Sequence, residues 1–135
     1  MKHFHGNKII GIVGTRTRNT SSIRKLIEEK FWEIYKEGDF ICSGGCPKGA
    51  DRFAEQIAKA GGIPILIIYP NYKRFKMGAP TIRNGDIAEN SDVVIACVKR
   101  PEEGIEEVLK RKKGGTEDML KKFMKYHPKG QVYLI

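Results

Sequence analysis

No apolar run in this chain approaches the ~20 residues that a membrane-crossing helix needs. The opening residues, MKHFHGNK, hold no apolar stretch of the signal-peptide kind. Cysteine is scarce and odd in number, three in 135 residues, which argues against a disulfide scaffold. Cys42 and Cys46 are spaced CxxxC, Cys97 is distant, and His3, His5 and His127 lie towards the chain ends. A closed metal site wants four ligands at tighter pairings, so no metal is expected. Neither the P-loop pattern GxxxxGKS/T nor the dinucleotide fingerprint GxGxxG occurs, and no cofactor is read from the chain. There is no internal repeat and no polybasic tail. The expectation is a cytoplasmic protein with reduced thiols and no membrane partner.

What is present is a core and a charge. Hydrophobic residues make up 40% of the chain, enough to bury an interior at this length. Lys and Arg number 25 against 16 acids, a net charge of +9. Such a field attracts anions, among them nucleotides and nucleic acid.

The apolar residues come in blocks that alternate between two periods. Lys8–Val13 (KIIGIV) is a continuous apolar run ending at Gly14, the pattern of a buried parallel strand. Ser21–Lys36 has helical spacing, with Ile23, Leu26, Ile27, Phe31, Ile34 and Tyr35 on one face and Trp32 opposite, free for a homodimer contact. Asp39–Cys42 is a short strand. Pro47–Ala60 is a helix with Pro47 in its first turn and Ala50, Phe53, Ala54, Ile57 and Ala58 inward. Ile63–Ile68 is a strand, Tyr69–Gly78 a long connection, Pro80–Asn90 a short helix and Asp92–Val98 a strand. Lys99–Gly114 is a charged insertion holding a small helix, a lid over the site or a solvated surface segment. Thr116–His127 is a helix and Gln131–Ile135 a closing strand. This alternation predicts one Rossmann-like, doubly wound α/β domain over 1–135, with about five mostly parallel strands and helices on both faces. Residues 1–7 are expected to be a flexible tail.

In such sheets the ligand sits beyond the carboxyl ends of the strands. Three loops of small residues fall there. Gly14, Thr15 and Arg16 follow the first strand. Ser43, Gly44, Gly45, Lys48, Gly49 and Asp51 lie on the loop and helix start after the second. Gly114, Gly115 and Thr116 precede the last helix, with Arg83 and Asn84 on the helix before the fourth strand. Glycine lets a ligand approach the backbone. A helix start offers free N–H groups and a partial positive charge that suit phosphate, and Thr116 has the character of an N-cap. Arg16 and Arg83 can fork onto phosphate oxygens.

These motifs, GTR, SGGCPKGAD, IRN, SDVVIACV and GGTEDM in that order, resemble the SLOG superfamily over about Lys8 to Ile135. That group includes the lonely-guy phosphoribohydrolases, the DNA-processing protein DprA and the YspA/YpsA-related branch, which the chain resembles most. The resemblance implies a nucleotide or nucleotide-derived small molecule as ligand, bound by the rim residues named above. It also implies two alternatives: hydrolysis of an N-glycosidic or phosphoribosyl bond, or DprA-like binding of single-stranded DNA. The phosphoribohydrolases carry a glutamate three residues after the motif threonine. Here that position is Met119, and Glu117 and Asp118 fall elsewhere on the helix. Asp51, Asp86, Glu117 and Asp118 are the carboxylates available for acid–base work.

Tyr69–Gly85 adds Lys73, Arg74, Lys76 and Arg83 without an acid, interleaved with Tyr69, Tyr72 and Phe75. Basic and aromatic residues together suit a stacked base and a gripped phosphate, on a nucleotide or on nucleic acid. Cys42 and Cys97 read as core thiols, and Cys46, near a helix start, has no base partner visible in sequence.

Overall fold

The computed structural model describes residues 7–135; His3, His5 and most of the expected tail lie outside the described residues. The order is β1 (Ile9–Gly14), α1 (Ser21–Ile34), β2 (Phe40–Ser43), α2 (Ala50–Gly61), β3 (Ile65–Ile67), α3 (Tyr72–Phe75), α4 (Ala79–Asn90), β4 (Val93–Cys97), α5 (Gly104–Lys110), α6 (Gly115–Tyr126) and β5 (Gln131–Leu134). The five strands form one parallel sheet in the order β3-β2-β1-β4-β5. This is the doubly wound, Rossmann-like α/β arrangement. No helix among the described residues is long and apolar enough to cross a membrane.

Next to the central strand β1, β4 is buried on both faces, and the twofold alternation of its side chains divides the core. Val93, Ile95 and Cys97 face α1 and α2, joining Ile10, Ile12, Ile27, Phe31, Phe53 and Ile57. Val94, Ala96 and Val98 face the other way and join Ile87, Val108, Met119, Leu120 and Phe123 from α4, α5 and α6. Phe31 and Phe123 are fully buried; truncating either to Ala costs about 3–5 kcal/mol on the general scale for such changes.

Several boundaries differ from the sequence reading. The second helix starts at Ala50, not Pro47. Gly49 precedes it at φ +74°, outside the helical region, so the helix begins three residues later than Pro47. The long connection after β3 holds one turn of helix, capped by Asn71, which accepts from Arg74 N. Leu26 points outward at 47% exposure, because Ile27 and Phe31 already fill the contact with the sheet. Trp32 is 44% exposed yet braced, edge-on to Phe31 at 4.9 Å and to Tyr35 at 5.3 Å. Its ring covers Gly61 so closely that a Cβ there would lie 2.9 Å from it. The last helix is capped by Gly114 rather than Thr116, which stands inside the first turn.

Candidate functional site

The carboxyl ends of β1, β2 and β4 open into a cleft of about 950 Å³. It lies where β1 and β4 part company: the chain winds outward from β1 through β2 and β3, then crosses back to β4. A parallel sheet leaves a crevice at this reversal because neighbouring connections go to opposite faces.

Eleven of the fourteen residues expected at the site line this cleft: Gly14, Thr15, Arg16, Gly44, Gly45, Asp51, Arg83, Asn84, Gly114, Gly115 and Thr116. Ser43, Lys48 and Gly49 do not. Ser43 is fully buried beneath the floor. Lys48 is exposed on the loop before α2. Gly49 acts through its backbone: a Cβ would lie 2.7 Å from Thr15 O and 2.8 Å from Arg16 Cα. Its N–H donates to Asn19 Oδ1 at 2.8 Å. Gly49 therefore docks the start of α2 against the loop that carries Arg16.

The floor is a small polar network. Asp51 Oδ2 accepts from Cys46 N at 3.0 Å, and Arg83 Nη1 donates to Gly44 O at 2.6 Å. A Cβ on Gly44 would fall 2.7 Å from Arg83 Nη1 and 2.9 Å from Asp51 Oδ2, so only glycine lets the three groups meet. Ser43 Oγ lies 2.7 Å from Ile12 O and 2.9 Å from Asp51 Oδ1. Both are donor contacts of the one Ser43 hydroxyl, whose hydrogen is shared between the carbonyl and the carboxyl. Burial pushes the Asp51 carboxyl above its ordinary range, and the bonds from Cys46 and Ser43 with the nearby Arg83 charge only partly oppose this.

The α6 wall carries its own carboxylate. Glu117 is 8% exposed and lines the cleft, so it reaches the site despite its offset from the expected glutamate position. Its Oε1 crowds Gly114, leaving no room for a Cβ there. Arg111 clamps it, donating to Glu117 Oε2 at 3.0 Å and to Glu103 Oε1 at 2.9 Å. The Arg111 hydrogen bond is the main cause holding the Glu103 carboxyl below its usual range. Met119 lines the cleft but is buried at 1% exposure and has no acid to offer. Asn84 ties α4 to α6, donating to Gly115 O at 3.1 Å and Asp118 Oδ2 at 3.2 Å.

Sequence reasoning did not single out Lys99, Arg100, Arg111 and Lys113, all four in the lining. Their signal was present as clusters of basic residues at both ends of the charged segment, which the fold brings back to the rim. The lining holds six cations (Arg16, Arg83, Lys99, Arg100, Arg111, Lys113) against two carboxylates (Asp51, Glu117). Among the described residues Arg16, Lys99 and Lys113 make no ion pair. Tyr69 and Tyr72 stand at the opposite side, 63% and 58% exposed. The Tyr69 ring lies over Gly45, against the position a Cβ would take. The buried thiols stay protonated: burial pushes Cys42 up to about 12 and also raises Cys97. Cys46 lines the cleft with no general base bonded to it among the described residues.

No family model matches this chain, and no curated protein matches it in sequence. A solved structure of like fold is the molybdenum cofactor binding protein from the phototrophic bacterium Rippkaea orientalis. It is 24% identical, with a TM-score of 0.65, over 96% of this chain and 77% of that one. The likeness is one of fold.

Proposed function

We propose that this chain is a single SLOG-type domain that binds a nucleotide or nucleotide-derived ligand in the rim cleft, as a sensor or a nucleotide-processing protein. The observation that carries this reading is the cleft's charge and position: six cations against two carboxylates around glycine-lined backbone, at the reversal of a parallel sheet. Phosphate is assigned to Arg16, beside the close-approaching Gly14–Thr15 turn, and to the first N–H groups of α6 at Gly115–Thr116, where helix start and cations act together. The base is placed against Tyr69 and Tyr72, whose exposed rings offer a stacking face. That a fold neighbour is itself a cofactor-binding protein is compatible with ligand binding here.

A second reading rests on the apolar and basic ridge beside the cleft. Tyr69, Tyr72 and Met77 are exposed, Met77 at 94%, and Lys73, Arg74 and Lys76 stand among them. A single strand of DNA would use such a ridge, stacking bases and losing affinity steeply with salt. Hydrolysis at a glycosidic bond would fall to Asp51 or Glu117, the two carboxylates in the lining.

A thermal-shift panel tests these readings. It runs AMP, GMP, ADP-ribose, NAD, a cyclic dinucleotide and the molybdenum cofactor beside a short single-stranded DNA. A ligand at 100 times its dissociation constant adds about 2.7 kcal/mol, a visible rise in melting temperature at this size. A shift with one nucleotide supports the pocket and names the compound to test for turnover. A flat panel with a salt-sensitive shift from DNA alone overturns the small-ligand reading in favour of the second.

A further inference from the structure

We propose that the cleft is built for a ligand with at least two phosphate groups, such as a nucleoside diphosphate or a pyrophosphate-bridged dinucleotide, rather than a monophosphate. This rests on the nucleotide reading above and narrows it.

The inference comes from where the uncommitted charges stand. Arg83 is engaged with Gly44 O, Arg111 with Glu103 and Glu117, and Arg100 with Glu103. The three lining cations without an ion pair among the described residues are Arg16, Lys99 and Lys113. They fall into two groups. Arg16 follows β1, two residues past Gly14. Lys99 and Lys113 bracket the β4 side: one leaves the end of β4, the other leads into Gly114 and α6. Gly14 pairs with Cys97 across the sheet, and Thr15 N donates to Cys97 O at 2.9 Å. The loops that carry Arg16 and Lys99 therefore leave adjacent strands, about 5 Å apart at the usual spacing, the scale of one pyrophosphate unit.

The far wall sets the length. Tyr69 and Tyr72 follow β3, which is three strands from β4 in the sheet order. At the usual strand spacing that is about 14 Å across the cleft. A base stacked on the tyrosines with its first phosphate on Arg16 leaves Lys99 and Lys113 unanswered. A second phosphate reaches them. The cleft volume of about 950 Å³ stands near the top of the ordinary range for small-molecule sites, which leaves room for the longer ligand. The Arg111 clamp on Glu117 supports the same reading. Glu117 lies against Gly114, next to Lys113, and pairing it with Arg111 offsets the negative charge that would oppose a phosphate there.

The test is titration calorimetry without added divalent metal, using AMP, ADP, inorganic phosphate and pyrophosphate as probes. The wild type is compared with a Lys99→Ala/Lys113→Ala double variant. Both lysines are exposed, so the variant keeps its core. ADP is expected to bind at least about tenfold more tightly than AMP, with pyrophosphate preferred over phosphate. The double variant should reduce the ADP preference to less than about twofold. Equal affinity for AMP and ADP overturns the proposal and leaves the nucleotide reading standing. A preference that survives in the double variant overturns the assignment to these lysines. Binding of pyrophosphate without either nucleotide overturns the nucleotide reading and keeps the paired anion site. No binding by any of the four probes overturns the paired anion site, and the wider nucleotide panel above then decides the nucleotide reading.

Discussion

Asp51 offers the sharpest test of the cleft floor. It is 8% exposed, accepts from Cys46 N at 3.0 Å, and sits 2.9 Å from a Ser43 hydroxyl whose other neighbour is Ile12 O at 2.7 Å. An asparagine has the same shape. Its Oδ1 accepts from Cys46 N, its Nδ2 donates to Ser43 Oγ, and Ser43 then donates to Ile12 O without conflict. Asp51→Asn is therefore expected to fold and to match or exceed the wild type in stability at pH 7. Asp51→Ala instead leaves the Cys46 N–H without its acceptor, at about 1–3 kcal/mol. The pH dependence separates the causes. The folded-state pKa of Asp51 is raised, so the folded protein holds its proton more tightly than the unfolded chain does. That contribution is full below the unfolded carboxylate range and is lost as pH rises through the folded value. Each pKa unit of difference is worth about 1.4 kcal/mol. Urea unfolding at several pH values from 4 to 8 reads this directly. Subtracting the Asp51→Asn curve from the wild type should leave a difference that grows against the wild type as pH rises. If Asp51→Asn costs more than about 2 kcal/mol at pH 7, or the difference curve is flat, the account of a carboxyl raised by burial fails.

Asp39 should behave in the opposite sense. Burial alone would raise its carboxyl, but bonds from Lys8 Nζ, Lys8 N at 2.9 Å and Lys36 N at 2.8 Å outweigh it and hold it below its ordinary range. Its stabilisation is present above the unfolded pKa and disappears in acid; Asp39→Ala should cost about 1–3 kcal/mol at pH 7 and flatten acid unfolding below pH ~4. Gly14→Ala places a Cβ 2.6 Å from Cys97 Cβ and 2.7 Å from Cys97 O. Calorimetry should show a loss of about 1–3 kcal/mol as β1 is forced from β4. Gly115→Ala has open space around it, so its melting temperature should hold or rise while nucleotide affinity falls if a ligand meets that backbone. Arg111→Met removes the clamp on Glu103 and Glu117; hydrogen exchange should accelerate across 99–117 and stay unchanged in β1 and β2.

The amino-acid sequence by itself determined the elements. Apolar spacing within a few residues distinguishes the Ile9–Gly14 strand from the Ser21–Ile34 helix, because each burial face is written in its own neighbours. It also brought GTR, SGG and GGT to one rim, since a parallel sheet delivers every strand's carboxyl end to the same side. The tertiary structure alone decided the rest. The order β3-β2-β1-β4-β5 fixes which loops touch, and that order depends on contacts between distant segments. The bonds from Ser43 to Ile12, 31 residues away, and from Gly49 to Asn19, 30 residues away, leave no local trace. Leu26 had the periodicity of a core residue and lies outside, because periodicity names a face and the neighbouring sheet decides how much of it is covered. Glu117 is offset by two residues from the expected acid at position 119, yet its long side chain and the Arg111 clamp bring it to the cleft. Spacing along a helix gives a side chain its direction, but only the packed neighbours determine where a flexible charged group comes to rest.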